Sequence, residues 1–162
     1  MALFNFVSVW RIGAPLETVW DVLYRLEDWS SWWQGVQKVE VTAAGDANRV
    51  CLQTNQTWKS KLPYLLKFET CVVRVEPMSL IKVWSIGELD GKGLMRFARD
   101  GDGTIFQVDW NVRTTVGWMT LLSPVLSPFF SWNHKTIMDW GAHSLAKKIG
   151  AKSISTSTKS VF

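Results

Sequence analysis

The segment TIFQVDWNVRTT, residues 104–115, carries the clearest pattern in the chain. From Phe106 to Arg113, large apolar side chains alternate one by one with polar or charged side chains. Alternation with a period of two residues predicts a β-strand that buries one face and presents the other to water. One face of this strand is therefore expected to join a core.

The residues DGDG, 100–103, lie directly before this segment and supply the dihedral angles of a tight turn. A two-residue turn at their centre would join the segment to the preceding strand as a hairpin. In that register Phe97 lies opposite Phe106, and Met95 lies opposite Val108. The register predicts an apolar face shared by two neighbouring strands.

A second turn is predicted at the Asp-Gly pair of residues 90–91. Treated in the same way, it pairs Trp84 with Phe97 and Ile86 with Met95, so that the apolar row crosses three strands. A three-residue turn would invert this assignment, because side chains alternate between the two faces of a strand.

The remaining strands are predicted where β-branched and aromatic residues form runs between Gly, Pro, Asn and Asp turns. With 104–115 included, seven strands are expected, at residues 3–12, 36–42, 49–54, 65–75, 80–87, 93–99 and 104–115. The connections after the second strand are short, which predicts an antiparallel meander, since parallel strands need a crossover of about a dozen residues or more.

Helices are predicted after the first strand and after the last strand. Pro15 suits a first helical turn, and apolar residues at helical spacing predict a helix from Leu16 to about Glu27, followed by a second short helix or turn at residues 29–33. A long helix is expected to begin between residues 123 and 129 and to end at Ile149.

These elements predict an α+β fold in which a curved antiparallel sheet of about seven strands wraps around the long C-terminal helix. Residues 1–150 are expected to form one domain. Residues 151–162 are rich in Ser, Thr and Lys and show no apolar periodicity, so they are predicted to be a flexible tail.

The net charge of +4 is spread thinly along the chain, and no motif of a nucleic-acid-binding module occurs, so nucleic acid is not an expected partner. Cys51 and Cys71 are interpreted as reduced packing residues. The N-terminal residues show no signal-peptide pattern, which predicts a cytoplasmic protein.

Residues 114–133 contain no charged side chain, which raises the question of a membrane span. Pro124 and Pro128 argue against one, because they remove backbone hydrogen bonds that lipid cannot replace. A hydrophobic lip from Trp118 to Phe130, which opens the pocket or touches a membrane surface transiently, is the alternative hypothesis. Burial under the sheet edge or in a homodimer contact would explain the same residues equally well.

The order of these elements resembles the helix-grip architecture of the START-type lipid-transfer, plant allergen and polyketide cyclase/dehydrase (SRPBCC) superfamily. The resemblance covers about residues 3–150. The residues that carry it are Ala14-Pro15, Val19-Trp20, Leu23, Trp29, Trp32-Trp33, Gly87 to Gly93, Gly103-Thr104, Trp110 to Val112, Asn133-His134, Met138, Gly141, Leu145 and Ala146. The resemblance implies a cavity between sheet and last helix that binds sterols, lipids, hormones or polyketides, and, in a minority of members, catalysis there.

His134 is the titratable residue of most interest, because it lies on the apolar stripe of the last helix. An imidazole at a pocket can donate a hydrogen bond or act as a general acid or base. No second group joins it in a catalytic set, so a buried neutral histidine is the favoured interpretation and catalysis by His134 is only a weak candidate. The sequence contains no metal-ligand cluster and no phosphate loop, so no metal or cofactor is expected.

The chain contains 11 tryptophans, which suits a broad pocket or an interface as well as an aromatic core. The residues predicted to line a ligand cavity are Trp84, Met95, Phe97, Phe106, Val108, Trp110, Phe130, His134 and Met138. The first functional hypothesis is binding or transfer of a small hydrophobic molecule, lipid-like or polycyclic aromatic. The alternatives are a polyketide-cyclase-like enzyme that uses the same cavity and an interaction module without a pocket.

Overall fold

The computed structural model describes residues 2–161 and shows a helix-grip α+β fold. Eight strands form one antiparallel sheet in the order β2-β3-β4-β5-β6-β7-β1-β8. The strands are β1 (Ala2–Ile12), β2 (Val36–Ala44), β3 (Leu52–Lys59), β4 (Leu65–Glu76), β5 (Leu80–Gly87), β6 (Leu89–Asp100), β7 (Gly103–Thr114) and β8 (Ile154–Ser160). The helices are α1 (Leu16–Leu23), a 3₁₀-helix (Leu26–Asp28), α2 (Trp29–Trp32) and α3 (Gly117–Ile149).

The hairpin of β6 and β7 has the predicted register. Phe97 lies opposite Phe106, and Met95 lies opposite Val108. All four side chains are buried, so the apolar face predicted for these two strands is the core face.

The predicted register of β5 and β6 is wrong. The turn is centred on Glu88, ahead of the Asp-Gly pair, and Trp84 therefore lies opposite Lys92 instead of Phe97. The difference in register is an odd number of residues, which moves the side chains of β5 to the other face. Trp84 is 55% exposed on the outer side of the sheet, and Val83 is buried instead.

Helix α3 begins earlier than predicted, at Gly117, and contains Pro124 and Pro128. A proline has no N–H to donate to the carbonyl four residues before it. For Pro124 that carbonyl belongs to Thr120, and the hydroxyl of Ser123 donates to it at 3.1 Å. The helix ends as expected at Gly150, whose φ of 65° is the left-handed conformation that glycine adopts readily.

The predicted flexible tail contains an edge strand, which corrects that expectation and brings the strand number to eight. β8 pairs with β1 from Phe6–Ser160 to Ile12–Ile154. Its half-buried side chains alternate along the strand, but most are hydroxyl groups that bond to neighbours. The hydroxyl of Thr156 donates to Asp139 of α3 at 3.2 Å, and those of Ser8 and Thr158 lie 2.9 Å apart.

The interior is divided into two groups of packed side chains. The larger joins α1, α2, the C-terminal half of α3 and most of the sheet around Trp10 and Phe106. The smaller contains Phe4, Phe6, Val112, Met119 and Phe130 beside the N-terminal half of α3. Within residues 2–161, no helix is long and apolar enough to span a membrane.

Candidate functional site

A cavity of about 120 Å³ lies between the sheet and the middle of α3. None of its wall residues carries a charged side chain at neutral pH. Its wall is formed by Leu26, Trp29, Trp33, Gln56, Trp58, Ser60, Tyr64, Leu66, Phe68, Thr70, Val83, Leu89, Gly93, Met95, Phe106, Val108, Trp110, Asn133, His134, Ile137 and Met138. The composition is that of a site for an apolar molecule with a few polar groups at its margins.

Six of the nine side chains predicted from the sequence are in this wall: Met95, Phe106, Val108, Trp110, His134 and Met138. The other three lie elsewhere. Trp84 is on the outer face of the sheet because of the register of β5. Phe97 is buried against Trp20 and Phe106, and Phe130 packs edge-on against Phe4 in the smaller core group.

Much of the wall comes from β3 and β4, which the sequence prediction did not assign to the cavity. Gln56 and Trp58 point inward from β3, and Leu66, Phe68 and Thr70 point inward from β4. The signal was present in the sequence, because Leu66, Phe68 and Thr70 alternate with the charged residues Lys67 and Glu69. The predicted strand at 49–54 ended before these β3 residues, since Asn55 to Thr57 are polar.

Two glycines allow large indole rings to lie against the backbone at the cavity. A Cβ on Gly93 would come within 2.6 Å of the ring of Trp110, which crosses from the neighbouring strand. A Cβ on Gly141 would come within 2.6 Å of Nε1 of Trp33. That Nε1 donates to the carbonyl of Ile137 at 3.1 Å, so the close approach ties the residue that follows α2 to α3 beside the cavity.

Gln56 forms the polar end of the wall, and both ends of its amide are bonded within the protein. Nε2 donates to the hydroxyls of Thr54 and Thr70 at 3.1 Å, and Oε1 accepts from Nε1 of Trp58 at 2.8 Å. An amide with these partners has little capacity left for a guest molecule. Gln56 therefore fixes the orientation of Trp58 in the wall.

His134 and Asn133 are the polar residues that α3 contributes to the wall. Within residues 2–161, Nε2 of His134 and Oδ1 of Asn133 are buried and have no hydrogen-bond partner. Burial lowers the pKa of His134 to about 4, because the imidazolium form would lose its hydration. The imidazole is therefore neutral at physiological pH.

The sequence matches the family described as polyketide cyclase/dehydrase and lipid transport over residues 4–150. The chain belongs to this family. The matched segment reaches every element except β8 and includes all the residues of the cavity wall. No curated protein sequence is significantly similar to the chain.

Several solved structures share the fold of this family member. A START superfamily protein from Mycobacterium smegmatis is 17% identical, with 90% of this chain and 97% of that chain covered and a TM-score of 0.73. A protein from Thermus thermophilus is 16% identical over 89% and 98% of the two chains, with a TM-score of 0.70. The Zhui aromatase/cyclase from a Streptomyces species is 11% identical over 92% and 94%, with a TM-score of 0.65. At these identities the likeness shows the fold alone.

A molecule in this cavity would be held mainly by burial of its apolar surface. Tyr64 is the other titratable residue of the wall, and burial, together with the nearby Glu88, raises the pKa of its hydroxyl. His134 and Tyr64 are thus both uncharged at neutral pH. No group of three or more potential metal ligands occurs within the described residues.

Proposed function

We propose that this protein binds or transfers a small hydrophobic molecule, held in the cavity between the sheet and α3. The observation that carries the proposal is the cavity itself, which is walled by apolar and aromatic side chains and lacks charge. Burial of a guest there would contribute about 25 cal/mol per Å² of apolar area removed from water. The lipid transport named in the family description agrees with a guest of this class.

The volume sets the size of the guest. The cavity of about 120 Å³ is close to the roughly 150 Å³ that suffices for benzene, and lies below the ~300–1,000 Å³ of pockets that enclose drug-sized ligands. It therefore suits one aromatic ring or a short length of acyl chain. A polycyclic molecule would require the wall to open.

Leu66 and Leu65 provide a matched pair of variants to test the proposal. Leu66 lines the cavity, whereas its neighbour Leu65 is 43% exposed and outside the wall. Leu66→Trp should fill part of the cavity and weaken toluene binding about tenfold or more in titration calorimetry, and Leu65→Trp should leave it unchanged. Absence of toluene and octanol binding to the unmodified protein, or equal affinities for the two variants, would contradict the proposal.

A polyketide-cyclase-like enzyme is the second candidate. The specific observation in its favour is that His134 lies in the wall of the cavity, and aromatase/cyclases share the fold. The pKa of about 4 weighs against it, because a general base works best when its pKa lies near the operating pH. His134→Ala should leave toluene affinity within a few-fold, and an enzyme would instead lose turnover sharply.

A further inference from the structure

The N-terminal half of α3 exposes a row of large apolar side chains, here called the apolar face. Its members are Trp118, Leu121, Leu122, Val125, Phe129 and Trp132. At about 100° and 1.5 Å per residue, they occupy one sector of roughly 100° along about 21 Å of the helix. Leu121 is 79% exposed and Val125 is 76% exposed.

Apart from Trp118, which packs against Tyr64 and Phe130, these side chains are not the ones that hold the helix to the protein. Met119 and Phe130 do so from the opposite side of α3, where they are buried with Phe4, Phe6 and Val112. The helix thus has two apolar faces over this length, and only one is covered. A contiguous exposed apolar surface of this kind marks a site of interaction.

The charged side chains that flank the apolar face are mostly basic, and Glu88, which accepts a hydrogen bond from the backbone N–H of Lys67 near Tyr64, is an acidic exception. Residues 110–138 contain no Asp or Glu. The end of the β3–β4 hairpin, residues 59–68, also lacks acidic residues and carries Lys59, Lys61 and Lys67. The ammonium group of Lys61 lies 5.6 Å from the ring centre of Trp132, at one end of the apolar face. The surface is therefore apolar in the middle and basic along one border.

This arrangement matches the interface of an anionic lipid bilayer. Tryptophan is favoured at the level of the headgroups, and it stands at both ends of the apolar face. Leu and Phe side chains lie at the boundary with the acyl chains in helices that rest on membranes. Lysines beside such a helix gain about 1 kcal/mol each from anionic lipid.

We propose that the apolar face and the end of the β3–β4 hairpin dock on the surface of an anionic lipid bilayer. The surface adjoins the cavity: Tyr64 lines the cavity and packs edge-on against Trp118, with ring centroids 5.3 Å apart. A guest can then pass between bilayer and cavity without crossing water. This last step rests on the proposed function, but docking itself does not.

Vesicle flotation tests the docking, with vesicles of equal parts phosphatidylcholine and phosphatidylglycerol compared with phosphatidylcholine alone. The protein should float with the anionic vesicles and much less with the neutral ones. Leu121→Glu should reduce the bound fraction about tenfold or more, because it places a carboxylate in the middle of the apolar face. Leu3→Glu is the matched control, since Leu3 is 62% exposed on the outer side of the sheet, and it should float like the unmodified protein.

A second pair of variants tests the basic border. Lys61→Gln should weaken binding to the anionic vesicles about fivefold, which is the equivalent of about 1 kcal/mol. Lys152→Gln removes the same charge from an exposed position beyond the end of α3 and should have no effect.

Three outcomes would overturn the docking proposal: no flotation with anionic vesicles, equal flotation of Leu121→Glu and the unmodified protein, or a dimer in sedimentation analysis that Leu121→Glu dissociates while no vesicles are bound. The last result would assign the apolar face to a second copy of this chain. Toluene binding by Leu121→Glu separates this proposal from the proposed function, because that variant should lose flotation and keep the guest.

Discussion

The imidazole of His134 lies parallel to the phenyl ring of Phe6, with ring centroids 4.2 Å apart and an angle of 10° between the planes. Phe6 belongs to the smaller core group, and His134 belongs to the cavity wall. The histidine thus separates the cavity from the packed core beneath the N-terminal half of α3. Its neutral form is stabilised there by exclusion from water.

The stability of the protein is expected to depend on pH through His134. The pKa is 6.5 for a free histidine and about 4 in the folded protein, so the unfolded chain binds more protons between these values. The contribution of the neutral imidazole to the free energy of unfolding is complete above pH 6.5 and is lost as the pH falls towards 4. At about 1.36 kcal/mol per pKa unit, the loss amounts to roughly 3 kcal/mol. Urea denaturation at a series of pH values measures it.

His134→Phe is the control for this pH dependence. A phenyl ring keeps the stacking on Phe6 and removes the buried nitrogen that has no partner among the described residues. The variant should be at least as stable at pH 7 and should lose less stability between pH 6.5 and 4 than the unmodified protein. If the free energy of unfolding of the two proteins changed equally with pH, His134 would not be buried in the folded state.

Gly141→Ala is expected to destabilise the protein by about 1–3 kcal/mol, as overpacking in a core does. The added methyl group would overlap the indole of Trp33 and disturb its hydrogen bond to Ile137. Gly117→Ala is the matched control at the start of the same helix, where nothing lies within 4 Å of the added atom. It should be neutral or slightly stabilising. Equal urea midpoints for the two variants would refute the packing of Trp33 on α3.

Removal of residues 153–162 tests the strand β8. The truncation exposes the edge of β1 and removes the hydroxyl contacts to Ser8, Ser131 and Asp139. A loss of about 2–4 kcal/mol is expected, since each hydrogen bond contributes a net ~0.5–1.5 kcal/mol and ordering the strand offsets part of it. Hydrogen exchange should accelerate at amides of β1. Unchanged stability and exchange would restore the interpretation of a loose tail.

The Gly and Asp residues of the predicted turns gave the correct strand register for one hairpin and the wrong register for the other. The DGDG segment gave the correct register for β6 and β7. The Asp-Gly pair at 90–91 lies inside β6 instead: Asp90 pairs with Arg113 of β7, and Gly91 allows the backbone of Asn111 to approach. Gly91 is required by a contact with the neighbouring strand, and no local sequence pattern reveals that contact. This one shift placed Trp84 on the wrong face.

The start of α3 and the strand β8 were missed for related reasons. Proline predicts a helix boundary, but the hydroxyl of Ser123 bonds the carbonyl that Pro124 leaves free. A strand is predicted from alternating apolar residues, but most side chains of β8 carry hydroxyl groups. Their hydrogen-bond partners on β1 and α3 are remote in sequence. The alternating β-branched residues Thr156 and Thr158 were the signal for a strand.

The methionine methyl groups provide the most direct measurement of guest binding. Met95 and Met138 line the cavity, Met119 lies in the smaller core group, and Met78 is exposed. In an NMR titration of methyl-labelled protein with toluene, the signals of Met95 and Met138 should shift and saturate together while that of Met78 stays unchanged. Shifts confined to Met78, or none at Met95 and Met138 up to the solubility limit of toluene, would contradict a guest site between the sheet and α3.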